Sequence, residues 1–147
     1  ATGIADQPAL PRFSAHTNYD NYIGVGTWTK LGINVADYND QACFDAASNL
    51  FTAPVAGTYL LGASLMYKTN GNTGARLQGR LVLNGVTAIA GTTSEISGTH
   101  NSETTTLPLQ TLTALSAGDT VELQGNFRAF DGYVAADETC FWGAKVG

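Results

Sequence analysis

The fold class of this chain is decided by one segment, Gly57-Thr58-Tyr59-Leu60-Leu61-Gly62-Ala63-Ser64-Leu65-Met66-Tyr67-Lys68. Tyr, Leu and Ala occupy every second position from 59 to 67, which is the period of a β-strand with one face in a core. The alternate positions from 60 to 66 carry Leu, Gly, Ser and Met, so the second face is also largely apolar. Strands that are apolar on both sides are usually buried on both sides.

A second two-sided strand is predicted at 138–146. Phe141 and Gly143 share one face, and the other face carries Cys140, Trp142, Ala144 and Val146. Since a two-layer sandwich buries only one face of each sheet, the outer faces of these strands need another cover. The pattern leaves two alternatives open. Either the loop 18–26, with Tyr19, Tyr22 and Ile23, folds over them, or they form a subunit interface.

The rest of the chain contains short β-branched and apolar runs separated by Gly, Asn and Asp. These runs predict eight further strands, at 11–17, 27–36, 42–45, 50–54, 75–84, 86–93, 103–115 and 119–129. Asn84-Gly85 indicates a tight hairpin turn. Pro108 cannot donate to a central ladder, so we expect a bulge or one-sided pairing there. No segment has a helical period, and the chain is predicted to be one all-β sandwich over 11–147, preceded by an extended lead-in at 1–10.

The composition excludes two classes of partner. Apolar residues make up 44% of the 147 residues, enough for a core, while charged residues make up only 13%. The net charge is −5 and the seven Lys and Arg are scattered singly, so a nucleic-acid partner is not expected. The longest apolar run, 60–66, is too short to insert across a bilayer.

Seven short motifs, taken in order, resemble the globular C1q-like family, which belongs to the tumour-necrosis-factor-like jelly rolls. Each motif alone is common, but the order and spacing agree with the family over nearly the whole chain from Pro11. The motifs are Phe13-Ser14-Ala15, Phe44-Asp45, Asn49-Leu50-Phe51-Thr52-Ala53-Pro54, Gly57-Thr58-Tyr59, Leu83-Asn84-Gly85, Leu115-Ser116-Ala117-Gly118-Asp119-Thr120-Val121 and Thr139-Cys140-Phe141-Trp142-Gly143.

The resemblance implies a ten-strand jelly roll that assembles as a tight homotrimer. In the family, the Gly-x-Tyr strand and the last strand lie in the inner sheet near the threefold axis. The resemblance therefore favours the subunit interface over the loop, with contact residues Leu60, Met66, Trp142, Ala144 and Val146. No collagen segment precedes residue 11, and loops rich in Thr, Asn and Gly are more similar to bacterial or phage relatives. An extracellular or virion-surface location is expected.

The sequence does not indicate an enzyme. His16 and His100 fit no metal-binding spacing, no Gly-x-Ser-x-Gly elbow is present, and both histidines are predicted to be solvated loop residues. Cys43 and Cys140 are compatible with one disulfide or with two free thiols.

Acidic residues gather in two places, around Asp37 to Asp45 and around Asp131 to Glu138. Calcium prefers several such oxygens, and some members of the family it resembles bind calcium near the trimer top. The spacing matches no EF-hand loop, so solvated turn carboxylates are favoured. Asp45 and Asp119 are predicted to bond their own turns. A calcium site at Asp37, Asp40 and Asp137 is the alternative, and no other cofactor is expected.

Two loop clusters combine aromatic rings with polar groups, an arrangement typical of sugar recognition. The first holds Tyr19, Asp20, Asn21 and Tyr22, and the second holds Phe130, Asp131, Gly132 and Tyr133. In the alternative interpretation, Tyr22 and Phe130 only cover the ends of the sandwich or the trimer seam. The sequence therefore predicts a trimeric recognition domain that binds a cell-surface glycan at the tip of a fibre or spike. The other hypothesis is a structural trimerisation cap.

Overall fold

The computed structural model describes residues 10–98, 100–101 and 103–147, and within them the chain forms fourteen β-strands and no helix. The predicted lead-in at 1–10 lies outside the described residues except for Leu10. In chain order the strands are β1 (Arg12–His16), β2 (Asn21–Ile23), β3 (Thr29–Lys30), β4 (Val35–Asp40), β5 (Phe44–Asp45), β6 (Leu50–Thr52), β7 (Gly57–Thr69), β8 (Arg76–Leu83), β9 (Thr87–Ala88), β10 (Ser94–Ser97), β11 (Thr105–Leu115), β12 (Thr120–Ala129), β13 (Gly132–Val134) and β14 (Cys140–Lys145).

The strands form two antiparallel sheets that pack face to face. The first sheet has the order β4-β1-β14-β7-β11, and β13 and β2 continue it beside the far end of β7. The second sheet has the order β10-β8-β12-β6-β5, with β3 also paired to β12 and β9 paired to β8. The prediction of an all-β sandwich is therefore confirmed.

The inner face of β7 supplies the centre of the core. Its alternating side chains at 59, 61, 63, 65 and 67 are at most 3% exposed, as the sequence predicts. At one end of the core, the ring of Phe13 stacks on Phe44 and Phe51 at centroid distances of 5.0 and 5.1 Å and meets Phe141 edge-on at 4.9 Å. This aromatic cluster joins β1 and β14 of the first sheet to β5 and β6 of the second.

The predicted strand at 27–36 is two strands in different sheets. Leu31 N still donates to Leu123 O of β12, and the backbone leaves the ladder at the next residue, where Gly32 N donates to the side chain of Asn21. Ile33 enters the core at 1% exposure. The segment 31–34 therefore carries the chain from the second sheet to the first.

The predicted strand at 86–93 is also interrupted, and three strands, β2, β10 and β13, lie inside predicted loops. Only β9 forms in that range, because the side chain of Thr92 donates to Ile89 O and makes a turn before β10 resumes pairing with β8. β2 lies in the predicted loop 18–26, and β13 follows Phe130. These two short strands pair with each other.

Two local predictions are confirmed. β11 pairs along its whole length with β7, at the edge of the first sheet, so Pro108 is not placed between two strands. Asn84 and Gly85 both have positive φ, 51° and 72°, as the tight hairpin turn between β8 and β9 requires.

Candidate functional site

The outer face of the first sheet carries the residues predicted at the subunit contact. The register places Leu60 beside Ala144 and Gly62 beside Trp142. In the single chain Leu60, Met66, Trp142 and Ala144 are half-buried, and Val146 is 55% exposed. We call this surface, made by Leu60, Gly62, Met66, Trp142, Ala144 and Val146, the apolar face.

Trp142 occupies the middle of the apolar face. A Cβ built on Gly62 would lie 2.1 Å from Cζ2 of Trp142, so the indole rests directly on the glycine backbone. The indole also borders a cavity of about 490 Å³ whose wall includes Ser64, Pro108 and Gln110. A large aromatic ring is thus held over β7 in the single chain.

The loop 18–26 does not cover the apolar face, so that alternative is wrong. Ile23 points into the core at 1% exposure, and the Tyr19 hydroxyl packs against Gly32. Tyr22 lies in β2, which extends the first sheet beyond β13 instead of folding over it.

The two predicted aromatic clusters meet at the other end of the same sheet face. β2 and β13 place Tyr22 opposite Tyr133, and Tyr133 in turn lies opposite Lys68 of β7. The two tyrosine rings are in edge contact, with centroids 5.4 Å apart. We call the surface formed by Asp20, Tyr22, Lys68, Asn70, Asp131 and Tyr133 the tyrosine patch.

Asp131 is the acceptor at the centre of the tyrosine patch. The Tyr22 hydroxyl donates to its Oδ2 at 2.7 Å, and Asn70 Nδ2 donates to the same oxygen at 3.0 Å. These hydrogen bonds lower the pKa of Asp131, and the Asp131 carboxylate raises the pKa of Tyr22. Asp131 is therefore an ionised acceptor beside two aromatic rings at neutral pH.

A second carboxylate is fixed at the margin of the patch. Ala136 N donates to Asp20 Oδ1 at 2.8 Å, and Lys68 Nζ lies 2.6 Å from Asp20 Oδ2. The backbone hydrogen bond and then the ammonium group lower the pKa of Asp20. The tyrosine patch thus presents two carboxylate acceptors and one ammonium group beside two tyrosine rings.

The remaining members of the predicted clusters are placed apart from these contacts. Phe130 has a positive φ of 54° and packs against Gly74, with half of its surface exposed. Asn21 is buried and donates to Thr17 Oγ1, so it supports the loop backbone. Sequence reasoning missed Lys68 and Asn70. Lys68 continues the outer-face alternation of β7, which could have identified it.

Comparison with solved structures places this architecture among known folds. The globular domain of a zebrafish complement 1qA protein superposes with a TM-score of 0.67 at 17% sequence identity, covering 93% of this chain and 98% of that chain. The chain has the fold of a C1q globular domain. No family model and no curated protein matches the sequence. The predicted C1q-like jelly roll is confirmed, with fourteen strands in the described residues instead of ten.

The structure does not bring the predicted calcium ligands together. Arg12 forms an ion pair with Asp40, and the Tyr38 hydroxyl donates a hydrogen bond to the same carboxylate. Asp37 and Asp137 lie elsewhere, on either side of His16. Over 10–98, 100–101 and 103–147, no group of three or more His, Cys, Asp or Glu side chains is arranged to hold a metal ion. Asp45 and Asp119 bond their own turns, as predicted.

His16 is not a solvated loop residue, which corrects the sequence prediction. It ends β1, its side chain is 26% exposed, and its Nδ1 lies 2.6 Å from Asp37 Oδ2. The register places Cys140 opposite His16, but in the described part of the chain no Ser or Cys side chain is hydrogen-bonded to the imidazole. His100 is exposed in its loop, as expected.

The two cysteines are free and lie toward opposite ends of β1. At one end Cys140 lies opposite His16 in the register of β14 with β1, and at the other end Cys43 is buried near the backbone of Arg12. Burial raises the pKa of Cys43 to about 11, which keeps it a protonated thiol. Among the described residues, no helix is long and apolar enough to cross a bilayer.

Proposed function

We propose that this C1q-like domain is a non-enzymatic recognition module whose three copies pack through the apolar face. The observation that carries the proposal is Trp142, which lies half-buried on Gly62 between the two central strands of the first sheet. An apolar surface on a central strand is normally covered by protein. A second and a third copy of the chain would supply that cover.

The ligand-binding surface in this proposal is the tyrosine patch. An aromatic ring stacks on the apolar face of a sugar, and the Asp131 carboxylate accepts hydrogen bonds from its hydroxyls. Tyr133 lies opposite Lys68 of β7, and Ala144 lies opposite Leu60 of the same strand. At ~3.4 Å per residue, Lys68 and Leu60 are about 27 Å apart along β7. A trimer built on the apolar face would therefore carry three patches at one end.

This geometry suits the tip of a fibre or spike. We propose that the ligand is a cell-surface glycan and that the domain works outside the cell or on a virion, in a bacterial or phage protein. The absence of catalysis is part of the proposal. The arrangement around His16 supports this part. His16 is paired with Asp37, but among the described residues no Ser or Cys side chain is hydrogen-bonded to the imidazole as a nucleophile would be.

The second candidate function is a structural trimerisation cap without a ligand. It is favoured by the hydrogen bonds within the tyrosine patch, since Tyr22 and Asn70 already satisfy Asp131. In that case Tyr22 and Tyr133 extend the trimer seam.

A glycan array probed with the purified domain separates the two functions. We expect binding that is lost in Tyr133→Ala and kept in Tyr38→Ala. Tyr38 is a matched control because it is exposed on the same sheet and its hydroxyl donates to Asp40, as that of Tyr22 does to Asp131. A trimer that binds no glycan at millimolar concentration supports the structural cap, and a monomer contradicts both proposals.

A further inference from the structure

The outer face of the second sheet carries polar side chains that are buried, although nothing of the core lies there. Glu122, Gln124 and Asn126 alternate along β12 and are 9%, 8% and 6% exposed. Gln78 lies opposite Asn126 on β8. We call Gln78, Glu122, Gln124 and Asn126 the amide row. Since an outer face normally meets water, something must cover these groups.

Trp28 and Arg80 provide the cover by meeting above β12. The register of β3 pairs Thr29 with Gly125, which places Trp28 beside Asn126 on one edge of the strand. Arg80 projects from β8 on the other edge, and its guanidinium carbon lies 4.0 Å from the centre of the Trp28 ring. This cation–π contact bridges the amide row, while the indole keeps part of its surface exposed.

Among the buried side-chain polar atoms of the amide row, one has no hydrogen-bond partner. Arg80 Nε donates to Gln124 Oε1 at 2.9 Å, and Gln124 Nε2 donates to Glu122 Oε2 at 3.0 Å. Asn126 Nδ2 donates to Gln78 Oε1 at 2.9 Å, but the buried Asn126 Oδ1 has no donor. Leaving such an acceptor unpaired in a buried place is unfavourable. A ligand that brings a donor to this oxygen recovers that cost.

We infer that the amide row and Trp28 form a second ligand site, for a neutral saccharide. Sugar hydroxyls both donate and accept, which matches Asn126 Oδ1 as an acceptor and Arg80 as a donor. The nearby carboxylate of Glu122 disfavours an anion, and Arg80 disfavours a cation. The ring of Trp28 offers an apolar face to a pyranose. This site lies on the opposite sheet from the tyrosine patch and the apolar face, so it does not depend on either.

Binding requires Trp28 to move from its place over β12, because the unpaired oxygen of Asn126 is buried in the closed arrangement. The segment before Trp28 is suited to this movement. A Cβ built on Gly24 or on Gly26 would meet no atom within 4 Å beyond the adjacent residues of the chain, and Gly26 has a φ of 80°. Gly26 N donates to Phe127 O, which anchors the segment at one point.

The test uses the fluorescence of Trp28. The chain has two tryptophans, so Trp142→Phe leaves Trp28 as the single indole reporter. This variant is titrated with millimolar glucose, galactose and N-acetylglucosamine and their disaccharides. We expect a saturable change in Trp28 emission and, in NMR spectra, shifts of the Asn126 side-chain amide and Arg80 Nε.

Three variants locate the response. Asn126→Leu removes the unpaired acceptor and is expected to weaken saccharide binding at least tenfold, whereas Thr52→Val, at an exposed position of β6 in the same sheet, is expected to leave it unchanged. If Asn126→Leu does not fold, the NMR shifts of the Trp142→Phe protein decide the question. No saturable response to any sugar overturns the inference, and so does a response abolished by Tyr133→Ala, which would assign it to the tyrosine patch.

Discussion

The outer faces of the two sheets carry different kinds of side chain and therefore need different kinds of cover. On the first sheet, Leu60, Trp142 and Ala144 present apolar groups that make no hydrogen bonds and are only half-buried. On the second sheet, Arg80 and the amide row bond one another under the ring of Trp28. Polar side chains can form their hydrogen bonds within one chain. Apolar side chains on an outer face are removed from water only when another surface packs on them. The proposed trimer therefore uses the first sheet.

The largest expected effect comes from placing a charge on the apolar face. Trp142→Asp would bury an unpaired carboxylate in the proposed subunit contact, at a cost of several kcal/mol. We expect the mass measured by light scattering to fall from three times 15.3 kDa to 15.3 kDa. Thr87→Asp, at an exposed position of the second sheet, is the matched control and should remain trimeric. A trimeric Trp142→Asp protein would remove the distinction between the two faces.

The sequence could predict the first sheet better than the second. The two-sided pattern of β7 and β14 depends on neighbours along one strand, so alternation predicts that Leu60 and Trp142 lie on an apolar outer face, and the resemblance then assigns them to a subunit contact. The contact between Trp28 and Arg80 depends on where β3 crosses β12, and no spacing along the chain encodes that crossing. The tyrosine patch falls between these cases. The sequence predicts Tyr22 and Tyr133 in two separate clusters. Their contact depends on the pairing of β2 with β13, two short strands that the hydrophobic pattern does not predict.

A smaller perturbation of the apolar face is to lift the indole from the sheet. In Gly62→Ala the new methyl group would lie 2.1 Å from the Trp142 ring, so the indole must move. We expect the trimer to weaken by about 1–3 kcal/mol, as in other overpacked contacts. Sedimentation at decreasing concentration measures this. Gly24→Ala, where a side chain meets nothing within 4 Å, is the control and should dissociate like the parent protein.

On the second sheet, the expected cost is one of stability within each chain. Gln124→Leu removes the acceptor of Arg80 and the donor to Glu122, which is only 9% exposed. We expect a loss of about 1–2 kcal/mol in the free energy of unfolding, measured with urea, and no change in mass. Thr52→Val, at an exposed position of β6 in the same sheet, should cost nothing. Equal losses in both variants would mean that the amide row has no special role.

The smallest effect concerns an exposed ion pair of the second sheet. Arg128 donates to both oxygens of Glu95, at 2.6 and 3.0 Å, and this lowers the pKa of Glu95. The folded pKa then lies below the unfolded value of about 4.3, so the pair stabilises the fold above that pH and the contribution is lost as the pH falls through the folded pKa. Glu95→Gln should flatten the slope of stability against pH below about pH 5. An unchanged slope would show that the pair contributes nothing.

The mass of the unaltered chain in solution tests the central claim most directly. Sedimentation equilibrium at micromolar concentration reports the assembly, and acrylamide quenching of a Trp28→Phe variant, in which Trp142 is the single indole, reports the shielding of Trp142. The account predicts three times 15.3 kDa and an indole shielded from the quencher. A stable particle of 15.3 kDa in which acrylamide reaches Trp142 freely would contradict it.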